Sequence, residues 1–296
     1  MQPKWLKIRS GSFVLLCGAI LAVFLLGLPG VNRGEDRKIA NWLCYYGTIF
    51  GPRIYSRFDL VVLDAHRHPP LANNSKDDRP ILIGYLSIGE ARVDGPYWDT
   101  AKGKPYLVKK NPFWNSWIVD IRDPAWQRHI FETAIPAILE HGFDGLFLDT
   151  SDSSLSLLQG KDKEKFEGTR EALEQMVRRI RETYPDKYLC INRGLPLLPS
   201  IASYLDFVVL EDLYSYYAGH DKGYVKVDPE VREVLLGQIE EGMKENPKLT
   251  VLTLDYAGDG QKALALEAIA FSRKRGFIPY VSTYELDQVF FYTLDQ

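Results

Sequence analysis

The chain has 296 residues, a net charge of -3 and a pI near 6.0, with 46% of its residues hydrophobic and 25% charged. This length and balance suit one large globular domain or two modest ones and exclude an extensively disordered chain. The mild acidity, with no Lys/Arg block beyond the first residues, excludes the basic footprint of a nucleic-acid binder, so no nucleic-acid partner is expected.

Lys4, Lys7 and Arg9 precede an apolar run over residues 11–28 that Pro29-Gly30 closes, the pattern of a secretory signal or of an uncleaved signal anchor. Residues 1–34 are therefore read as signal peptide or anchor plus linker, and residues 35–296 as the folded domain. Such a leader makes the domain secreted, periplasmic or membrane-anchored and facing outward. Cys17 follows Leu15 and Leu16, where a lipid-attachment site needs a small residue directly before the cysteine.

A first strand is expected over residues 39–46 and a second over 59–64, followed by a polar loop over 65–79. A third strand over 81–88 runs into Gly89-Glu90. The stretch 92–116, with Tyr97, Trp98, Tyr106, Phe113 and Trp114, is too long for a plain connection and reads as functional. Asp123-Pro124 then announces a helix, with Asp at the N-cap and Pro at the first helical position; it is expected to run to His141, kinked at Pro136, and Gly142 stops it.

The next strand is Gly145-Leu146-Phe147-Leu148-Asp149. A helical pattern over 163–183, a strand over 188–192, a short helix over 197–203 and a strand ending at Glu211 follow. A loop holds Tyr214, Tyr216, Tyr217 and Tyr224. Asp228-Pro229 repeats the capping signal, and its helix leads to a strand over 249–255. A last helix over 261–274, the Gly276 stop and a strand over 277–281 complete the alternation, with 283–296 as a terminal cover. About eight strands alternating with helices make the fold class α/β, a single (β/α)8 TIM barrel after the N-terminal segment. No glycine-rich phosphate loop follows the first strand to favour an open doubly wound sheet.

Three of these strands share a design: Asp59 and Asp64, Asp144 and Asp149, and Asp206 and Glu211 each bracket an apolar run. At about 3.3 Å per residue the two acids of a pair lie at opposite ends of one strand. In this barrel chemistry sits at the C-terminal strand ends. Those ends carry Tyr46, Asp64, Glu90, Asp149, Asn192 with Arg193, Glu211, Asp255 with Tyr256, and Tyr280, while Tyr214 lies in the loop after Glu211. Asp59, Asp144 and Asp206, at the far end, are expected to serve turns and stability.

Several carboxylates at one mouth suit cleavage of a glycosidic bond, which needs one protonated and one ionised carboxyl across the scissile linkage. Crowding raises some of their pKa values, as a general acid requires. Nearby aromatic rings would offer flat faces to sugars. His66 and His68 have no further histidine at a strand end to complete a metal site, and there is no Gly-x-Ser-x-Gly elbow, so no metal, no cofactor and no serine nucleophile are expected. Cys44 and Cys190 read as small buried thiols inside strands.

The segments Leu86-Ser87-Ile88-Gly89-Glu90, Val119-Asp120-Ile121-Arg122-Asp123-Pro124, Gly142-Phe143-Asp144-Gly145-Leu146-Phe147-Leu148-Asp149, Ile191-Asn192-Arg193-Gly194 and Val209-Leu210-Glu211-Asp212 together resemble glycoside hydrolase family 114. That family holds endo-α-1,4-polygalactosaminidases and is related to the hydrolase domain of the Pel polysaccharide machinery. The resemblance implies retaining cleavage of a galactosamine-containing polysaccharide, with Asp149 as nucleophile and Glu211 as general acid/base. A carboxyl gap of about 5–5.5 Å would accompany retention and one nearer 8 Å inversion. Cationic sugar amines would be drawn to the acidic mouth, giving Asp64, Glu90 and Asp255 a binding role. Tyr46, Asn192, Arg193, Tyr214, Tyr256 and Tyr280 complete the expected substrate-binding set. The competing reading is a non-catalytic carbohydrate-binding barrel of an exopolysaccharide or biofilm system; a metal-dependent deacetylase is the third.

Overall fold

Short apolar runs buried on both faces make the strands of the computed structural model, which describes residues 37–71 and 79–294. The expected signal or anchor lies outside these residues, as do residues 72–78 of the loop after the second strand. No described helix is long and apolar enough to cross a membrane.

Eight parallel strands follow one another in chain order: β1 (Trp42–Tyr45), β2 (Leu60–Leu63), β3 (Ile81–Ser87), β4 (Gly145–Asp149), β5 (Tyr188–Asn192), β6 (Phe207–Glu211), β7 (Thr250–Tyr256) and β8 (Ile278–Ser282). The sheet curls until its edges meet, where the Trp42 indole N–H of β1 donates to Ile278 O of β8 at 2.9 Å. Near-continuous hydrophobic runs such as LVVL and FVVLE are what a parallel sheet covered by helices requires. Trp42, Phe147 and Tyr280 fill the interior. Burying each such side chain is worth about 1.5–3 kcal/mol.

The capping signals act as expected. Asp123 accepts from Ala125 N and Trp126 N, and Asp228 from Glu230 N. The helix after Asp123 is irregular: Pro124–His129, then a wider π turn over Ile130–Ala134, then Ile135–Glu140. The wide turn directly before Pro136 takes up the missing backbone donor and the bulk of the ring. The pattern over 163–183 divides at Gly168, whose φ of +82° starts the helix Thr169–Thr183 afresh.

Two small sheets stand where loops were expected. Glu90–Arg92, Ser116–Val119 and Leu107–Asn111 form an antiparallel three-stranded sheet at the C-terminal mouth, and Ser215–Tyr217 pairs with Tyr224–Lys226. Cys44 and Cys190 are buried free thiols.

At the opposite end the three early acids share one task. Asp59 accepts from Ala40 N and Asn41 N, Asp144 from Leu82 N, and Asp206 from Leu189 N, so each holds the first turns of the preceding strand in register. Asp144 also takes both arms of the Arg79 guanidinium, and Asp206 takes Arg181 at 2.7 Å.

Candidate active site

Four neighbouring strands end in polar side chains that converge on one point of the mouth. Asp149 ends β4, Asn192 β5, Glu211 β6 and Tyr256 β7. Asn192 sits between the two acids, and its Nδ2 donates to Asp149 Oδ1 at 3.0 Å and to Glu211 Oε2 at 2.7 Å. Each carboxylate has a second donor from a phenol: Tyr85 Oη to Asp149 Oδ2 at 2.8 Å, and Tyr256 Oη to Glu211 Oε1. Two such bonds leaving one trigonal amide nitrogen at about 120° would set the accepting oxygens about 5 Å apart.

The backbone behind these residues is unusual in a repeated way. Thr150, Arg193 and Asp212, each directly after a converging residue, adopt left-handed conformations with φ of +67°, +53° and +57°. For non-glycine residues that conformation costs about 1–3 kcal/mol, and it survives only where surroundings enforce it. Here they do. Ile88 N donates to Asp149 O, Arg193 N to Val209 O and Asp212 N to Leu254 O, carrying each ladder one residue past its strand. Thr150 Oγ1 accepts from Gly89 N, and Arg193 lies against Asp152 at 3.3 Å and Asp212 at 3.5 Å. Gly89 is required, because a Cβ there would lie 2.1 Å from Thr150 O.

Burial, and next the negative charge of Glu211, push the Asp149 carboxyl up to about 6, against the pull of its amide and phenol donors. Burial also holds the Tyr85 and Tyr256 hydroxyls well above the usual phenol value, so both stay donors across working pH. Behind Glu211, burial raises Asp212 to about 8 and Asp255 to about 7.

The converging groups line a cleft of about 560 Å³. Tyr46, Asp64, Glu90, Asn192, Arg193 and Tyr256 all border it, together with Asp149 and Glu211. Tyr46 packs edge-on against Tyr85, 5.3 Å between centroids. Asp64 caps the next turn, accepting from His66 N and Arg67 N. Glu90 is 4% exposed and already receives Asn111, Ser116 and Ser153, so it is a post for the three-stranded sheet more than a free binding group.

Three expected residues are placed elsewhere. Tyr214 turns outward, donating to Glu267 Oε2 at 3.0 Å and packing on Phe271. Asp255 is wholly buried beneath the turn after β6, where its Oδ1 accepts from Tyr214 N and Ser215 N. It precedes the strand's last residue, Tyr256, and alternation sends the two side chains to opposite faces. Tyr280 is 1% exposed and packs on Trp42 and Phe58, its hydroxyl accepting from Phe290 N.

Tyr85 was the residue that strand ends alone could not reveal, since it lies two positions before the end of β3. Its alternation with Ser87 was the available signal. The aromatic stretch delivers Phe113 and Trp114 to the cleft, 68% and 54% exposed, and the terminal cover delivers Tyr284, Glu285 and Leu286. Seven carboxylates border the cleft against three guanidinium groups. Among the described residues no cluster of His, Cys, Asp or Glu is arranged to hold a metal ion; the His66, His68 and His141 rings meet edge-on, 6.0–6.3 Å between centroids.

The model of glycoside-hydrolase family GH114 matches residues 37–296. Among solved structures, the glycoside hydrolase domain of PelA from Pseudomonas aeruginosa is similar at 27% identity and a TM-score of 0.72, over 85% of this chain and 98% of that one. Ega3 from Aspergillus fumigatus, solved in complex with galactosamine, is similar at 12% identity and a TM-score of 0.63, over 86% of this chain and 96% of that one. At that identity the likeness to Ega3 concerns the fold alone. No curated protein matches the chain.

Proposed function

Since the chain belongs to glycoside-hydrolase family GH114, we propose that it is an endo-acting, retaining hydrolase of α-1,4-linked galactosamine-containing polysaccharide. The observation that carries this reading is the Asn192 bridge. The separation of about 5 Å that this bridge implies falls in the range of the carboxyl gap of a retaining pair and below that of an inverting pair, which supports retention.

In this mechanism Asp149 attacks the anomeric carbon while Glu211 gives its proton to the glycosidic oxygen, and the sugar is left esterified to Asp149. Water then enters on the face that the leaving sugar vacated, opposite Asp149; Glu211 takes one of its protons as its oxygen bonds to the anomeric carbon and the bond to Asp149 breaks. Each displacement inverts the anomeric carbon, so over the two steps configuration is kept. Asn192 and Tyr85 donate to Asp149 in its ionised form, the form that attacks. Asn192 and Tyr256 aim Glu211.

The excess of carboxylates around the cleft would concentrate cationic sugar amines there. Asp64 is the strand-end acid best suited to that contact, given the positions of Glu90 and Asp255. The open cleft supports endo action. The signal-like N-terminus supports an outward-facing site of work.

The test is incubation with an α-1,4-galactosamine polymer. Release of new reducing ends, with oligosaccharides before monosaccharide, is expected. Tight polymer binding without any release would favour the non-catalytic carbohydrate-binding alternative.

A further inference from the structure

The cleft that holds the converging carboxyls is also bordered by Phe113 and Trp114. Both rings are more than half exposed, and among the described residues no other Phe, Trp or Tyr is. Two adjacent large rings left in water forgo the burial that stabilises the rest of the aromatic set, and such a patch marks a surface that something covers.

The local sequence builds the tip that carries them. They fill the middle of the turn Pro112-Phe113-Trp114-Asn115, between the strands Leu107–Asn111 and Ser116–Val119. Pro112 has a fixed φ, and Asn115 takes the left-handed conformation, φ of +50°, that leads the chain into the second strand. The rings brace each other edge-on, with 4.8 Å between centroids and 87° between planes. At the foot of the tip Glu90 accepts from the last paired residue of each arm, Asn111 Nδ2 at 3.0 Å and Ser116 Oγ. It also accepts from Ser153 Oγ, on the helix Ser151–Ser156 that follows Asp149. Val93 N adds a bond to Asn115 O at 2.9 Å. Each ring lies two residues beyond the Glu90 clamp, at most about 7 Å along the chain. The tip is thus mounted through one buried carboxylate on the segment that carries Asp149, and a platform held in place this way loses little freedom when a ligand settles on it.

We propose that this hairpin tip is a sugar-stacking platform, on which a pyranose of the bound polysaccharide away from the cleaved bond rests. An aromatic face is negative, while the C–H face of a pyranose and the ammonium of an amino sugar are positive, so the two attract. The occupant follows from continuity and charge: the rings border the cleft of Asp149 and Glu211, and its excess of carboxylates draws a cationic chain. A short substrate held at the carboxyl pair does not reach the tip, so the platform makes affinity rise with chain length. The choice of sugar rests on the function proposed above, but stacking does not require turnover.

The test is calorimetric titration of the full chain carrying Glu211→Gln, so that nothing is consumed, with α-1,4-linked galactosamine oligomers from disaccharide to octasaccharide. Affinity should rise with length to a plateau. Phe113→Leu combined with Trp114→Leu should weaken the longest oligomers about tenfold and the disaccharide less than about twofold. Phe113→Tyr combined with Trp114→Phe, which keeps a π face at each position, should retain most of the length dependence. Undiminished affinity for long oligomers in the leucine pair, an equal loss on the disaccharide, or the same loss in the ring-keeping pair would overturn the platform. Cleavage is read separately on the parental chain. Length-dependent binding that the leucine pair removes, without any cleavage, would support the platform and sink the hydrolase reading; cleavage with affinities that the leucine pair leaves unmoved would overturn the platform alone.

Discussion

At the starts of the strands, Asp59, Asp144 and Asp206 turn their carboxylates onto backbone N–H groups of the neighbouring strand, and two of them add a guanidinium. At the ends of the strands, Asp149 and Glu211 face each other across a single amide; a phenol donates to each and the Thr150 backbone to Asp149, with no guanidinium or ammonium among these donors. A carboxylate with cationic and backbone donors is stabilised in its charged form and fastens structure. A carboxylate crowded by another, with neutral donors only, is left reactive. The left-handed residues after β4, β5 and β6 belong to the second arrangement, for they spend stability to bring Asp149, Asn192 and Glu211 together.

This contrast can be broken most sharply at the reactive end. Asp149→Asn and Glu211→Gln should each lower kcat on galactosamine polymer by more than about a thousandfold, with Tm preserved or raised, because removing a buried charge relieves the repulsion between the pair. Steady-state kinetics beside calorimetry checks both halves. At the opposite end, Asp144→Asn should cost about 3–5 kcal/mol, since it strands the buried Arg79. Urea unfolding would read that loss, and the fraction still folded should turn over at the parental rate.

Asn192→Ala sharpens the comparison, because it takes the bridge away and leaves both acids in place. A loss of about a hundredfold in kcat is expected from misplacement of the pair. Acid should act through Asp149. With its carboxyl at about 6, kcat/KM falls as pH drops below that value and the nucleophile becomes protonated. Stability moves the other way. A folded-state pKa above the unfolded value of about 3.9 stabilises the protein fully only below that value and is lost as pH rises towards 6, so Asp149→Asn should flatten that part of the stability profile. The smallest effect is expected for Tyr214→Phe, less than about twofold in kcat/KM, since its hydroxyl points to Glu267 and away from the cleft.

Much of this division was legible in the sequence, because parallel strands write themselves as apolar runs and their polar ends mark the two faces of the barrel. The acids bracketing β2, β4 and β6 were sorted correctly into strand-start clamps and strand-end mouth residues. Periodicity was less informative where a residue lies near, but not at, a strand end. Asp255 and Tyr256 are adjacent, and only the register of β7 tells which of them faces the cleft. Tyr85 lies inside β3, yet its long side chain spans the remaining distance to Asp149. Tyr280 shows the reverse case, an aromatic close to a strand end that packing on Trp42 and Phe58 claims for the core. The three-stranded sheet over Glu90–Val119 pairs Glu90–Arg92 with Ser116–Val119, more than twenty residues away, and short strands of that kind carry no periodic signature.

The account stands on the spacing that Asn192 imposes, and the stereochemistry of the first product reads that spacing directly. Proton NMR of α-linked galactosamine oligomers, recorded in the first minutes of hydrolysis before mutarotation, should show the α-anomer appearing first. Initial release of the β-anomer would mean single-step inversion and would contradict an attack by Asp149 at about 5 Å from its partner.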